Sequence, residues 1–156
     1  MGDVAGARVS ILLSRKSASH FAPAGESAIV AIRDAGTRAL DLRRWSACLH
    51  LEFDDIDEMC AGYQMFSHAQ ARSIAAFVRE HAGATTFAAH CEQGVSRSAA
   101  VARFAAMVTD RALVGDAGGY NRLVFSRLMR AWAMLQLRRG RFRSAWQAFL
   151  SGLRES

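Results

Sequence analysis

The sequence predicts one α/β domain: a mostly parallel sheet of four to five strands flanked by helices, with a tight loop joining one strand to one helix. Three observations carry this. Short apolar runs alternate along the chain with longer segments of helical period, as when parallel strands are joined through crossover helices. The 156 residues are 51% apolar with a single proline, which suits one ordered domain with its own core. The run His90-Cys91-Glu92-Gln93-Gly94-Val95-Ser96-Arg97-Ser98 follows an apolar strand and leads into an alanine-rich helix. The domain spans residues 1–156, with its core over about 9–137 and a basic C-terminal helix over about 142–153.

The elements follow in order. Val9 to Leu13 is a first apolar strand, and Ser14 to Gly25 holds turns, the only proline (Pro23) and either a short helix or a loop. Ser27 to Ile32 reads as a buried strand closed by Asp34 and Gly36. Thr37 to Trp45 fits neither period. Ala47 to Phe53 alternates in part, as a strand covered on one face does. The acidic run Asp54-Asp55-Ile56-Asp57-Glu58 follows at once, then a loop over Met59 to Phe66.

Ser67 is placed as the N-cap of a helix reaching about His81, with Ala71, Ile74, Ala75, Phe77 and Val78 on its apolar side and Gly83 as stop signal. After the Thr85 to Cys91 strand and its loop, a helix is expected from Arg97 to about Arg111, then a glycine-rich connection from Val114 to Gly119. Asn121 would cap a helix to about Leu137. Gly140 is read as separating it from a last helix near Phe142 to Leu153.

The loop's residue types have a chemical logic. A helix opening directly after a tight loop aims unpaired N–H groups and its positive dipole end into that loop, and successive turn N–H groups converge into an anion-binding nest. A cysteine among such dipoles and near a permanent cation is expected to ionise more readily than a free thiol, and the thiolate is the nucleophile. Arg97 offers a planar fork of donors matched to two phosphoryl oxygens. Gly94 lets the backbone turn sharply or approach a ligand closely. Ser98, in the first helical turn, can reach the sulfur.

The nine residues His90 to Ser98 resemble the signature loop of the cysteine-based protein tyrosine phosphatase superfamily, in particular its dual-specificity branch. The resemblance runs from about Val9 into the last helical region. It implies Cys91 as phosphoryl acceptor, Arg97 as phosphate ligand, Ser98 as an aid to hydrolysis and His90 as a support that sets the state of the thiol. The phosphate would sit on the loop Glu92, Gln93, Gly94, Val95, Ser96 and Arg97, with the Glu92 side chain turned outward. It also implies a general acid, an aspartate at a strand end a few dozen residues before the nucleophile. Asp55, 36 residues before Cys91 and just past Phe53-Asp54, is the first choice; Asp57 is second and Asp54 third. No metal or other cofactor is implied, because the arginine and amides carry the charge.

The substrate reading is a phosphorylated protein, phosphotyrosine with phosphoserine or phosphothreonine as companions, cleaved through a phosphocysteine. Alternatives are another phosphomonoester (an RNA 5′ end, a nucleotide or an inositol phosphate) or a phosphate-binding pseudophosphatase. The latter is disfavoured by the presence of nucleophile, arginine, serine and acid together. Sulfur-transfer and arsenate-reducing enzymes also use a cysteine loop, but the residues around Cys91 fit them less well. The loop carries no lysine, which counts against an inositol-lipid substrate.

Charge and composition narrow the partners. The formal net charge is +6, carried almost wholly by arginine, with Lys16 the only lysine. Solubility and attraction of an anionic substrate both account for it, whereas nucleic acid is disfavoured for lack of a reading motif. No apolar run approaches the roughly 18 residues of a membrane span, no secretory signal is visible, and position 6 is not the Ser or Thr that myristoylation of Gly2 requires. Cys48, Cys60 and Cys91 are sparse and odd in number, which suits a reducing compartment; the expected location is cytoplasmic. Oligomeric state is left open.

Cys48 and Cys60 are read as buried packing thiols, with a protective disulfide to Cys91 as the alternative. His50, His68 and His81 lack metal-ligand spacing. Trp132, Phe142, Trp146 and Phe149 read as packing residues. Arg122, Arg127, Arg130, Arg138, Arg139, Arg141 and Arg143 form either a solvated helix face or a docking surface for an acidic partner.

Overall fold

The architecture comes from a computed structural model that describes residues 7–152, with side chains described through residue 140. Five strands and four helices follow one another as β1 (Val9–Ser14), α1 (Arg15–His20), β2 (Ser27–Arg33), β3 (Ala47–Glu52), α2 (His68–Glu80), β4 (Thr86–Cys91), α3 (Arg97–Thr109), β5 (Ala112–Val114) and α4 (Arg122–Gly152). The strands form one sheet in the order β3-β2-β4-β1-β5, every pairing parallel. This is the α/β class read from the sequence, at the five-strand end of the expected range.

Strands buried on both faces need continuous apolar sequence, which β2 and β4 supply: all six residues of β4 and the first six of β2 are buried. Alternate residues of β2 feed two cores. Ala28, Val30 and Ile32 join Phe53, Phe66, Phe87, Phe104 and the apolar sides of α2 and α4, while Ile29 and Ala31 face Leu13, Ala18, Leu42 and Trp45. The segment that fits no period, Thr37 to Trp45, is irregular backbone that closes this second core with Leu42 and Trp45.

Helix ends follow the capping chemistry. Ser67 accepts from Gln70 N–H while the Gln70 carboxamide accepts from Ser67 N–H, a complete capping box. Gln70 Nε2 also donates to the Glu52 carbonyl, tying the start of α2 to the end of β3. Ser14 caps α1, so the open choice between helix and loop resolves to a six-residue helix.

Three expectations are corrected. α3 stops at Thr109, with Asp110 in the left-handed region at φ 51°, and Arg111 lies beyond it. There Arg111 is buried, donating to the carbonyls of His81, Ala82 and Ala84. Residues 112–114 form the edge strand β5, which the sequence did not announce: all three are exposed, and only pairing to β1 makes them a strand. Gly140 does not divide the C-terminal region, since α4 runs through it to Gly152. A glycine inside a helix costs only about 1 kcal/mol relative to alanine, and no proline follows to stop the chain. Of the packing aromatics, Trp132 meets Phe104 edge-on at 5.9 Å; the side chains of Phe142, Trp146 and Phe149 lie outside the described residues, as do those of Arg141 and Arg143.

The carboxyl ends of β1, β2, β3 and β4 share one edge of the sheet, where ligands sit in parallel α/β folds. Cys91, Asp34 and the acidic run all fall there.

Candidate active site

Cys91 is the last residue of β4, paired with Ser14 at the end of β1. The chain then rests directly on β1: Arg15 N–H donates to the Glu92 carbonyl at 3.1 Å, and Gly94 packs against residues 13 and 14. Gly94 has φ +75°, and a Cβ there would lie 2.5 Å from Ser14 N and 2.7 Å from the Leu13 carbonyl carbon. Only glycine meets both demands. The turn folds the backbone over the thiol, so Gly94 N–H donates to Cys91 Sγ at 3.3 Å and Ser98 Oγ lies 3.1 Å from the same sulfur. Glu92, Gln93 and Val95 are exposed, so the loop presents backbone inward and side chains outward.

The first turn of α3 lacks a side-chain cap, because the Ser96 hydroxyl donates elsewhere, to Asp55 Oδ1 at 2.8 Å. Its leading N–H groups therefore remain for an anion. Arg97 is 4% exposed. Its Nη1 donates to Asp34 Oδ1 at 2.5 Å and to the Phe53 carbonyl at 2.7 Å, while the buried Nε has no partner among the described residues. An orphaned buried donor costs about 1–3 kcal/mol, which an oxyanion in the adjoining cavity would remove. That cavity, of about 300 Å³, is lined by Cys91, Arg97, Asp34, Asp54, Asp55 and Tyr63, together with Ile56 and loop residues 92, 93, 95 and 96.

The three acidic candidates have different surroundings. Asp54 closes its own loop: its Oδ2 accepts from Gln64 N–H at 2.6 Å, and its N–H donates to the Gln64 carbonyl at 2.7 Å. Asp57 lines a neighbouring cavity with Tyr120, Asn121 and Arg122 rather than the one holding Cys91. Asp55 borders both cavities, its Oδ1 accepting from Ser96 Oγ and, at 2.9 Å, from Asn121 Nδ2. Asn121 also accepts from Val124 N–H, so one carboxamide caps α4 and holds the carboxylate.

His90 is buried, neither ring nitrogen has a hydrogen-bond partner among the described residues, and burial pushes its pKa down to about 4. Cys48, half-buried beside His50 Nε2 at 3.2 Å, has its thiol pushed up to about 11 by burial. Cys60 is exposed, against the expectation of a packed thiol. Among the described residues no group of three or more His, Cys, Asp or Glu is placed to hold a metal ion, and no helix is long and apolar enough to cross a membrane.

Sequence reasoning thus named Cys91, Arg97 and Asp55, which the fold brings to one cavity, and Ser98, which is buried against the Cys91 sulfur. It missed Asp34 as the partner of Arg97, Asn121 as the partner of Asp55, and Tyr63 at the rim. For Asp34 a signal existed: a carboxylate one residue past a central strand, beside the strand that carries the cysteine.

No protein-family model and no curated protein matches the chain. One solved structure, "Crystal structure of Tk-PTP in the active form", is similar over 81% of this chain and 92% of that one, at 20% sequence identity and a TM-score of 0.47. A likeness of that extent decides neither family nor activity.

Proposed function

We propose that the chain is a cysteine-dependent phosphomonoester hydrolase of the protein tyrosine and dual-specificity type, a single phosphatase-like domain acting on phosphotyrosine in proteins. The observation that carries this reading is the sulfur of Cys91, hydrogen-bonded by Gly94 N–H and Ser98 Oγ, in one cavity with an arginine whose buried Nε lacks a partner.

The chemistry follows from the positions. A phosphoryl group settles on the free N–H groups of the loop and of α3, with Arg97 gripping its equatorial oxygens. Cys91 Sγ attacks phosphorus in line, a sulfur–phosphorus bond forms, and the ester oxygen leaves with a proton from Asp55. Ser96 and Asn121 both donate to Oδ1 of that carboxyl, which leaves Oδ2 to hold and deliver the proton. Water then attacks the phosphocysteine and yields its proton to Asp55. The sulfur departs as thiolate, stabilised by the Ser98 hydroxyl, and orthophosphate is released.

The charge of the cavity favours a substrate bearing one phosphate. Among the described residues Arg97 is the only cation lining it, against the carboxylates of Asp34, Asp54 and Asp55. A triphosphate RNA end or an inositol polyphosphate would set its further charges against those carboxylates. Tyr63, 60% exposed, offers an aromatic face to the ring of phosphotyrosine.

The test is Cys91→Ser. The variant should lose turnover of p-nitrophenyl phosphate and of a phosphotyrosine peptide while still binding vanadate; retained turnover removes the assignment of the nucleophile.

A further inference from the structure

A second concave surface lies between α2 and α4. It has a volume of about 370 Å³ and is lined by His68 and Arg72 from α2 and by Arg127, Arg130, Ala131, Met134, Leu135 and Arg138 from α4. None of these residues lines the Cys91 cavity. Ala131, Leu135 and Met134 make an apolar floor, with Met134 50% exposed. Four guanidinium groups surround that floor.

Folding does not account for this charge. The 31 residues of α4 contain no Asp or Glu, and α2 has only Glu80, at its last position. Among the described residues none of the four arginines forms an ion pair. Like charges three or four residues apart destabilise a helix, and Arg127 and Arg130 are so spaced. Arg127 is also anchored, donating to the Phe66 carbonyl, so its charge is held in place before any partner arrives.

We propose that this groove docks an acidic polypeptide segment in which an apolar residue interrupts the carboxylates. The arginines from Arg127 to Arg138 extend about 16 Å along α4, the reach of about five residues of extended chain. Guanidinium forks pair with carboxylates, and the floor takes the intervening apolar side chain. A single-stranded nucleic acid would want a series of aromatic faces for successive bases, and the groove is lined by no Phe, Tyr or Trp and offers His68 alone. A bilayer surface would want apolar side chains that protrude, whereas this floor is recessed between two helices.

The experiment is fluorescence anisotropy of the full chain with a labelled peptide of Glu-Glu-Leu repeats. A Lys-Lys-Leu peptide, an oligothymidylate and phosphatidylserine vesicles serve as competitors. The acidic peptide binds and is weakened by salt. The double reversal Arg130→Glu with Arg138→Glu lowers its affinity by about a hundredfold, on the order of tenfold per charged hydrogen bond lost. Arg79→Glu, outside the groove, leaves affinity unchanged, and p-nitrophenyl phosphate turnover is the same in all of these. Should the reversal unfold the protein, Arg72→Gln with Arg130→Gln decides, with a smaller loss expected. Binding untouched by these substitutions, absence of binding, or effective displacement by oligothymidylate or vesicles overturns the proposal.

Discussion

Asp34 Oδ1 and Arg97 Nη1 lie 2.5 Å apart, joining two residues 63 positions distant in the chain. The bond fixes one edge of the guanidinium against the end of β2. Arg97 also lines the cavity that holds Cys91. A phosphate ligand is useful only when its fork is already oriented, so Asp34 acts as a positioning residue for Arg97.

Removing that partner should cost activity more than fold. Asp34→Ala leaves Arg97 with the Phe53 carbonyl alone, and kcat/KM for p-nitrophenyl phosphate should fall by about ten- to a hundredfold, or about 1.4 kcal/mol per factor of ten. Vanadate affinity should fall in parallel, and Asp34→Glu should recover part of both. Unchanged vanadate binding in Asp34→Ala would show that the guanidinium needs no such anchor.

The acid should reveal itself through leaving groups. Asp55→Asn should lower kcat by about 10²- to 10⁴-fold on alkyl phosphates, and far less on p-nitrophenyl phosphate, whose departing oxygen hardly needs a proton. Asn121→Ala should show the same pattern more weakly, plus about 1 kcal/mol of lost stability from the cap on α4. Asp57→Asn should leave kcat alone; if it instead reproduces the leaving-group pattern, the assignment passes to Asp57.

At Gly94 the outcome is set by two backbones. Gly94→Ala puts an L-residue in the left-handed region, at about 1–2 kcal/mol, and drives its Cβ into the end of β1. The loop must lift, and Gly94 N–H must leave the sulfur. Turnover should drop at least tenfold with only a modest fall in Tm. A variant as active as the parent would mean that the N–H to Cys91 contact is dispensable.

His90 predicts a pH dependence of stability. Burial lowers its pKa from 6.5 to about 4, with Arg15 and His50 adding minor repulsion. The unfolded chain therefore binds more protons between those values. The contribution is full above about pH 6.5 and is lost as pH falls toward 4, amounting to about 3 kcal/mol at most. Urea unfolding of His90→Leu should show a flatter acid limb than the parent, and equal slopes would place the acid sensitivity elsewhere.

How much could be read in advance depended on distance along the chain. Cys91, Gly94, Arg97 and Ser98 sit within eight residues, so spacing alone exposed their chemistry. The proposed acid was narrowed to three neighbours and no further, because Asp54, Asp55 and Asp57 are alike until a loop folds. Gln64 then claims Asp54, and Asn121 and Ser96 claim Asp55. β5 stayed invisible because Ala112-Leu113-Val114 is too short a run to show a strand period, and only its pairing to β1 makes it a strand. Gly140 misled in the other direction, since a weak local preference does not end a helix.

Local chemistry in the chain was enough to give the α/β class, the strand–loop–helix around Cys91 and the caps at Ser67 and Asn121, because each depends on contacts only a few residues apart. The clamp of Asp34 on Arg97, the pairing of Asp55 with Ser96 and Asn121 and the basic groove between α2 and α4 depend instead on groups that meet only when strands and helices pack. Such contacts leave no period or spacing in the sequence, and the sheet order that brings them together belongs to the folded molecule alone.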